Sequence, residues 1–214
     1  MNTKSLRFLI TAGPTREFLD PIRYISNRSS GKMGYAIAEA ARAVSAHVTL
    51  VSGPTALTPP KGVEFVSVTT SQEMADAVWS RFDTVDICIM AAAVCDFRPK
   101  KVATGKIKKG TSGSVLELEP TPDILAELGR RRRAQVLVGF AAETDDLERH
   151  AREKLVQKRL DFIVANDSSA FDADTSRVTF IARDGKVDRQ PERPKMEIAK
   201  AIVERAVQLV GPAD

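Results

Sequence analysis

Apolar residues along the chain fall into two rhythms that take turns. Short unbroken runs read as strands: "RFLITAG" (7–13), "HVTLVSG" (47–53), "VEFVSVT" (63–69), "DICIMAAAV" (86–94), "QVLVGFAAE" (135–143) and "DFIVAND" (161–167). Between them lie stretches with apolar residues every third or fourth position, which predict helices over 31–44, 71–82, 121–133, 145–160 and 195–210. Ser71 stands as the N-cap of the second helix, and Thr121-Pro122 as the cap and first-turn pair of the third. "RVTFIARDGKV" (177–187) predicts a hairpin that turns at Asp184-Gly185. Strands that are apolar throughout, rather than at alternate positions, are covered on both faces. Their alternation with helices predicts an α/β fold: a Rossmann-like, open, mostly parallel sheet with helices on both faces, plus a C-terminal β-hairpin. There is no internal repeat, so the expected organisation is a single domain over 1–214.

One segment breaks the rhythm. "CDFRPKKVATGKIKKGTSGS" (95–114) is long, basic and rich in Lys and Gly, and it leaves the carboxyl end of the fourth strand. Long structureless loops in compact domains are usually functional, and the carboxyl edge of an open α/β sheet is where ligands bind.

Composition narrows the chemistry. The net charge is +4, which suits an anionic ligand without requiring nucleic acid. "RRRR" (130–133) sits at a predicted helix C-terminus, where positive charge suits the dipole, and no interleaved aromatics support base stacking. No apolar run approaches the roughly 18 residues of a membrane span. The N-terminus has no signal-peptide layout. Cys88 and Cys95 form no disulfide framework and no Cys/His cluster. A cytoplasmic protein without nucleic-acid or membrane partners is expected.

The candidate site starts at "RYISNRSSGKMG" (23–34), where small donors, two glycines and a lysine lead into a helix. Backbone N–H groups at such a helix start can hold a phosphate. The stretch is not a Walker A loop, which would need Gly at 26 and Ser or Thr at 33, nor a GxGxxG fingerprint. A capped helix with a packing glycine is the plainer alternative. At "MAAAVCDFR" (90–98), Ala91, Ala92 and Ala93 expose bare backbone to a planar ring and Asp96 could take a ribose hydroxyl, though small residues also serve packing. "GKIKKG" (105–110) offers Lys106, Lys108 and Lys109 on a mobile loop, or simply a solvated basic face. Phe140 could stack on a base or fill the core, and Lys154 and Lys158 share one helix face. A dinucleotide-dependent NAD(P) reductase fits the sheet pattern alone, but "VTLVSGPT" carries no acid to hold a ribose. A non-catalytic nucleotide- or RNA-binding protein fits the charge.

In order, "SNRSSGKMG", "AAAVCDFR", "GKIKK", "TPDIL", "GFAAET" and "ANDSS" resemble the phosphopantothenoylcysteine synthetases of coenzyme A biosynthesis, from about Ile10 to Asp167. The blocks Asn-x-Ser-Ser-Gly-x-x-Gly and Lys-x-Lys-Lys are the specific ones, and they look like the bacterial, CTP-dependent type. The chain departs from the common blocks at Cys95, where Ser or Ala is usual, and at Phe97, where Trp or Tyr is frequent. The resemblance implies a ligase that joins 4′-phosphopantothenate to L-cysteine through an acyl-cytidylate, with CTP as co-substrate and Mg²⁺. It implies a homodimer, with the 177–187 hairpin contributing to the interface. It also implies a phosphopantothenoylcysteine decarboxylase as a partner, fused or separate, of which nothing is seen in this sequence.

The same resemblance assigns roles. Gly13, Ser29, Ser30, Gly31 and Gly34 hold phosphates. Met90, Ala91 and Ala92 present backbone to the cytosine, and Asp96 contacts the nucleotide. Pro122, Asp123, Ile124 and Leu125 line the same pocket, with Asp123 as the candidate metal ligand. Phe140 packs beside the nucleotide, Lys106, Lys154 and Lys158 bind the triphosphate, and Asn27 binds the acyl intermediate. Asn27 and Lys106 are the catalytic candidates.

Overall fold

The computed structural model describes residues 5–44, 46–109, 115–143, 146–167 and 173–211. The strands of the main sheet are β1 (Arg7–Ala12), β4 (His47–Ser52), β5 (Glu64–Ser67), β6 (Ile87–Met90), β9 (Val136–Glu143), β10 (Phe162–Asp167), β12 (Val178–Ala182) and β13 (Val187–Arg189). Short ribbons are formed by β2 (Arg16–Phe18) with β3 (Tyr24–Ser26), β7 (Phe97–Pro99) with β8 (Leu118–Pro120), and β11 (Thr175–Ser176) with β14 (Arg193–Pro194). The helices are α1 (Lys32–Ala43), α2 (Ser71–Phe82), α3 (Ile124–Arg131), α4 (Leu147–Gln157) and α5 (Lys195–Gln208).

The sheet order is β13-β12-β10-β9-β6-β1-β4-β5. The six strands from β5 to β10 run parallel, and β12 and β13 close one edge as the antiparallel hairpin. The chain starts in the middle, at β1, and winds first toward β5 and later toward β10. The order therefore reverses between β1 and β6, and the connections leaving these two neighbours diverge to opposite faces.

Within each apolar run the side chains alternate between two cores. Phe8 and Ile10 of β1, Ile87 and Ile89 of β6 and Val138 of β9 pack with α1 and α5. Leu9, Cys88 and Leu137, one residue on, pack on the opposite face with α2, α3 and α4. Period-two geometry thus explains why unbroken apolar runs are needed: both faces are dry. The outer strand β5 is the exception, with Glu64, Phe65 and Ser67 exposed, as an edge strand allows.

Several expectations are corrected. The long loop after β1 contains the β2–β3 ribbon, and the 95–114 segment starts with β7, which pairs with β8. The N-cap of α2 is Thr70, which forms a capping box with Glu73; the Ser71 N–H instead donates to the buried Glu17 carboxylate at 2.8 Å. The cap of α3 is Asp123, accepting from the Ala126 N–H at 3.0 Å, because the helix starts at Ile124; the Thr121 hydroxyl donates to the Cys95 carbonyl. The hairpin turns at Asp184-Gly185 as expected, with Gly185 at φ 89°.

Cys88 and Cys95 are free and buried. Burial pushes both thiols above their ordinary pKa, which disfavours the reactive thiolate. Neither should react with a chromogenic aromatic disulfide within minutes at mildly alkaline pH, and both should react once denaturant is added. Rapid labelling of the folded chain would contradict this packing.

Candidate active site

The site grows from the reversal between β1 and β6. Where these strands end, their outgoing segments are sewn together by backbone. The Ala93 N–H donates to the Gly13 carbonyl at 2.9 Å, and the Thr15 N–H to the Ala93 carbonyl at 3.3 Å. Two fully buried threonines extend the seam. Thr11 Oγ1 accepts from the Ala92 N–H at 3.1 Å, and Thr15 Oγ1 from the Cys95 N–H at 2.9 Å. The Asn27 amide donates to the Val94 carbonyl at 2.9 Å. On the other side, the Thr121 N–H donates to the Asp96 carbonyl at 3.0 Å. The 92–96 backbone is therefore held from two directions, and the small side chains of Ala91 to Ala93 leave it bare.

Helix α1 starts beside this seam. Its N-cap is Gly31, in left-handed backbone at φ 78°, which supplies no side-chain acceptor; the first turn carries no acidic residue. A Cβ on Gly31 would lie 2.7 Å from Thr55 Cγ2, and one on Gly34 would lie 2.5 Å from Ala12 Cβ. Glycine at these two positions lets the helix start press against the end of β1. A helix start whose N-cap supplies no side-chain acceptor is a natural anion-binding end.

Around this centre lies a cavity of about 820 Å³, large enough for a nucleotide by the usual range of ligand sites. Asn27, Ser29, Ser30, Gly31, Gly34, Met90, Ala91, Ala92, Asp96, Pro122, Asp123, Ile124, Leu125, Phe140, Lys154 and Lys158 all line it. Gly13 lies just beneath, its backbone bonded to Ala93. Lys106 is the candidate that the fold does not bring to the cavity wall. Its loop is not the free mobile segment expected over its described part: the Ala103 N–H donates to the Leu19 carbonyl at 2.9 Å and the Ile107 N–H to Asp20 at 3.1 Å. Gly110 of "GKIKKG" lies outside the described residues, as do Thr144 of "GFAAET" and Ser168 and Ser169 of "ANDSS".

Among the described residues, the lining carries Arg28, Lys32, Lys154, Lys158 and Lys195 against Asp96 and Asp123. That excess of positive charge in a concave wall favours a polyanion. Lys154 Nζ donates to the Phe140 carbonyl at 2.8 Å, which ties α4 to the end of β9. Lys158 pairs with Asp123. Burial alone would raise the Asp123 carboxyl, but the Lys158 ammonium and the Ala126 N–H outweigh it and hold the group below the ordinary carboxylate range. Among the described residues no cluster of three or more His, Cys, Asp or Glu could hold a metal. Asp123, shared with Lys158 and the helix cap, suits a cation that brings most of its ligands with it on phosphate oxygens, as Mg²⁺ commonly does.

The wall also holds residues that carried no assigned role: Lys32 and Asn166, which lie within the quoted blocks, and Ser176, Val178 and Lys195, which lie outside them. Lys32 pairs with Asp174 at 2.6 Å, and Lys195 is only 8% exposed with Nζ donating to the Ala173 carbonyl at 2.5 Å. Lys195 lies far from the others in sequence and had no motif to mark it. The "RRRR" run is engaged internally. Arg130 pairs with Glu127, Arg131 with Asp83, and Arg132 with Asp161, so its charge is largely matched within the fold.

Residues 3–209 match the family described as DNA/pantothenate metabolism flavoprotein C-terminal domain. The chain belongs to that family. It is 50% identical over 206 residues to the coenzyme A biosynthesis bifunctional protein CoaBC of Bacillus subtilis (strain 168), covering 94% of this chain and 51% of that protein. The chain thus spans about half the length of the curated relatives it matches. Its fold is similar to the crystal structure of the C-terminal domain of a coenzyme A biosynthesis bifunctional protein CoaBC, with TM-score 0.84, 46% identity and 96% of both chains covered. It is also similar to the DNA/pantothenate metabolism flavoprotein from Streptococcus pneumoniae, with TM-score 0.83, 25% identity, and 95% of this chain and 99% of that one covered. Among the described residues no helix is long and apolar enough to cross a membrane.

The seam generates a test. Thr15→Val keeps the shape but leaves the buried Cys95 N–H without its acceptor, which should cost about 1–3 kcal/mol. It should also weaken nucleotide binding, since the cavity floor loses its fixed position. Urea denaturation and nucleotide titration check both, and parental values in the two would show that the seam does not set the site.

Proposed function

We propose that the chain joins 4′-phosphopantothenate to L-cysteine with CTP, releasing pyrophosphate and CMP and giving 4′-phosphopantothenoylcysteine. The observation that carries this reading is the cation-lined cavity at the β1/β6 reversal, where most of the family-matched site residues meet in a chain of this family. The chemistry follows from the substrates. A carboxylate is a poor acyl donor, so one of its oxygens first attacks the α-phosphorus of CTP and pyrophosphate leaves. The cysteine amine then attacks the acyl carbon of the acyl-cytidylate, the amide forms, the amine loses its proton and CMP departs.

The residues divide this work. The α1 start, with Ser29, Ser30 and Gly31, receives phosphate through backbone N–H groups. The bare backbone of Ala91 and Ala92 reads the cytosine edge, and Phe140 packs against the nucleoside. Lys154 and Lys158 stand on one side of the cavity to neutralise the triphosphate, and Asn27 holds the acyl group beside the 93–94 backbone. Lys106 swings from its tethered loop to the phosphates, where charge builds up during carboxylate attack. Mg²⁺, held by the phosphates with Asp123, would neutralise the polyanion and assist pyrophosphate departure. The unit acts as one ligase domain, in a reducing cytoplasm to which two free buried thiols are suited.

A homodimer is part of the proposal. Nine of the thirteen exposed large apolar side chains among the described residues fall in the 18–24 and 97–118 segments, including Phe18, Ile22, Tyr24, Phe97, Leu116 and Leu118. That concentration favours the β2–β3 and β7–β8 ribbons as the contact face over the 177–187 hairpin. A decarboxylase partner, fused or separate, would consume the product.

The deciding experiment measures pyrophosphate and amide product with CTP, Mg²⁺, 4′-phosphopantothenate and L-cysteine, each omitted in turn. Pyrophosphate should require the first three, and the amide all four. ATP should serve at least about a hundredfold worse in kcat/KM, because a site hydrogen-bonded to one base leaves groups unpaired with another. Comparable constants for the two nucleotides would remove the CTP assignment.

Lys106→Gln should lower the rate of pyrophosphate release by about a hundredfold to a thousandfold, the usual loss for one donor to developing charge. Lys101→Gln, on the same segment, should stay near the parent rate, and both variants should melt like the parent. Parental turnover by Lys106→Gln would return the loop to a solvated basic face.

A further inference from the structure

Asp20 is an acid with no place in the reaction just described, yet it is fully buried and accepts five hydrogen bonds. It sits in the turn of the β2–β3 ribbon. One oxygen takes the N–H groups of Ile22 at 2.9 Å and Arg23 at 2.8 Å, which closes the turn. The other takes both Nε and an Nη of the Arg23 guanidinium, at 2.9 and 2.5 Å. The fifth donor comes from far along the chain: the Ile107 N–H, at 3.1 Å. The same guanidinium nitrogen of Arg23 donates to the Ile107 carbonyl at 2.7 Å. Both polar groups of one peptide residue are thus gripped by one ion pair. A third bond, from the Ala103 N–H to the Leu19 carbonyl, holds the other end of the segment.

The gripped residue is the one after Lys106. The ribbon that grips it runs on, through β3, into Asn27 at the cavity wall. We propose that Asp20, with Arg23, is a positioning residue for Lys106: the ion pair clamps the Ile107 peptide, fixes the backbone beside Lys106 at a set place along the ribbon, and leaves the exposed lysine side chain free to reach the nucleotide. This role rests on the assignment of Lys106 to the triphosphate. The clamp is physically suited to the task. The Arg23 guanidinium holds the Asp20 carboxyl well below the usual carboxylate range, so it stays an acceptor throughout the working pH range. A loop tied at Ala103 and Ile107 samples fewer positions than a free one, which lowers the cost of bringing Lys106 to the phosphates.

The test is a double-mutant cycle with hydrogen exchange. Asp20→Asn should raise amide exchange in the 103–109 segment and lower kcat for pyrophosphate release by about a hundredfold, the loss expected from a misplaced catalytic group. KM for CTP should change little. In the Lys106→Gln background Asp20→Asn should cost almost nothing further, because both changes remove the same contribution. Should Asp20→Asn fail to fold by thermal melting, Arg23→Gln serves instead: it removes the guanidinium that pairs with Asp20 and holds the Ile107 carbonyl, leaves the 106–107 backbone unaltered, and should show the same kinetic loss and the same lack of additivity. Unchanged exchange at 103–109 would overturn the clamp. Raised exchange with losses that multiply in the double variant would overturn the positioning role alone. Full activity of Lys106→Gln by itself would overturn the Lys106 assignment, and the role of Asp20 with it.

Discussion

The seam between the ends of β1 and β6 is the constraint on which the rest of the site depends. A parallel sheet whose order reverses leaves a crevice between two diverging connections, and a crevice is only as well shaped as its walls. Here the walls are main chain. Gly13, Thr15 and Asn27 hold the 93–95 backbone in place, and Thr11 holds Ala92. Backbone pairing is available to any sequence, but it needs close approach. That is why the segments are built from alanines, threonines and glycine, and why Gly34 presses α1 onto Ala12. The helix start and the bare strand end then lie against each other, one offering N–H groups to an anion and the other a flat polar edge to a base.

The electrostatics follow from the same placement. Cationic side chains from α1, α4 and α5 converge on the cavity, while the internal acid Asp123 is matched by Lys158. Lys195 shows what such convergence requires. A lysine is seldom so deeply buried unless a partner meets it, and here the Ala173 carbonyl does. The arginine run at the end of α3 has the opposite fate. Its charges are matched by Glu127, Asp83 and Asp161, so the positive charge most visible in the sequence is not at the site.

The fold was legible because burial on both sheet faces writes itself as unbroken apolar runs, and because β1, β6, β9 and β10 are such runs. Much of the cavity lining was legible for a related reason: residues such as Ala91, Ala92 and Asp96 follow strand ends, where small and polar types interrupt the apolar pattern. What escaped notice has physical causes too. The β2–β3 and β7–β8 ribbons are three-residue strands of mixed polarity, too short for a period to show. The caps fall at Thr70 rather than Ser71 and at Asp123 rather than Thr121, because the helices start at Ser71 and Ile124 and an end shifted by a residue or two leaves no mark on the apolar period. Lys106 was placed by motif beside the phosphates, but its loop is tethered to Asp20 and Leu19, a long-range contact that no local pattern encodes.

The central claim is that the seam makes a nucleotide site, with phosphate at the start of α1 and the base against the end of β6. A crystal structure with a non-hydrolysable cytidine triphosphate analogue tests it directly. Phosphate oxygens should lie within hydrogen-bond distance of the first α1 N–H groups, and the cytosine edge on the Ala91–Ala92 backbone. A nucleotide bound elsewhere, for example in the pocket lined by Phe162, Phe180, Arg183 and Leu209, or one bound here with base and phosphate ends exchanged, would contradict it.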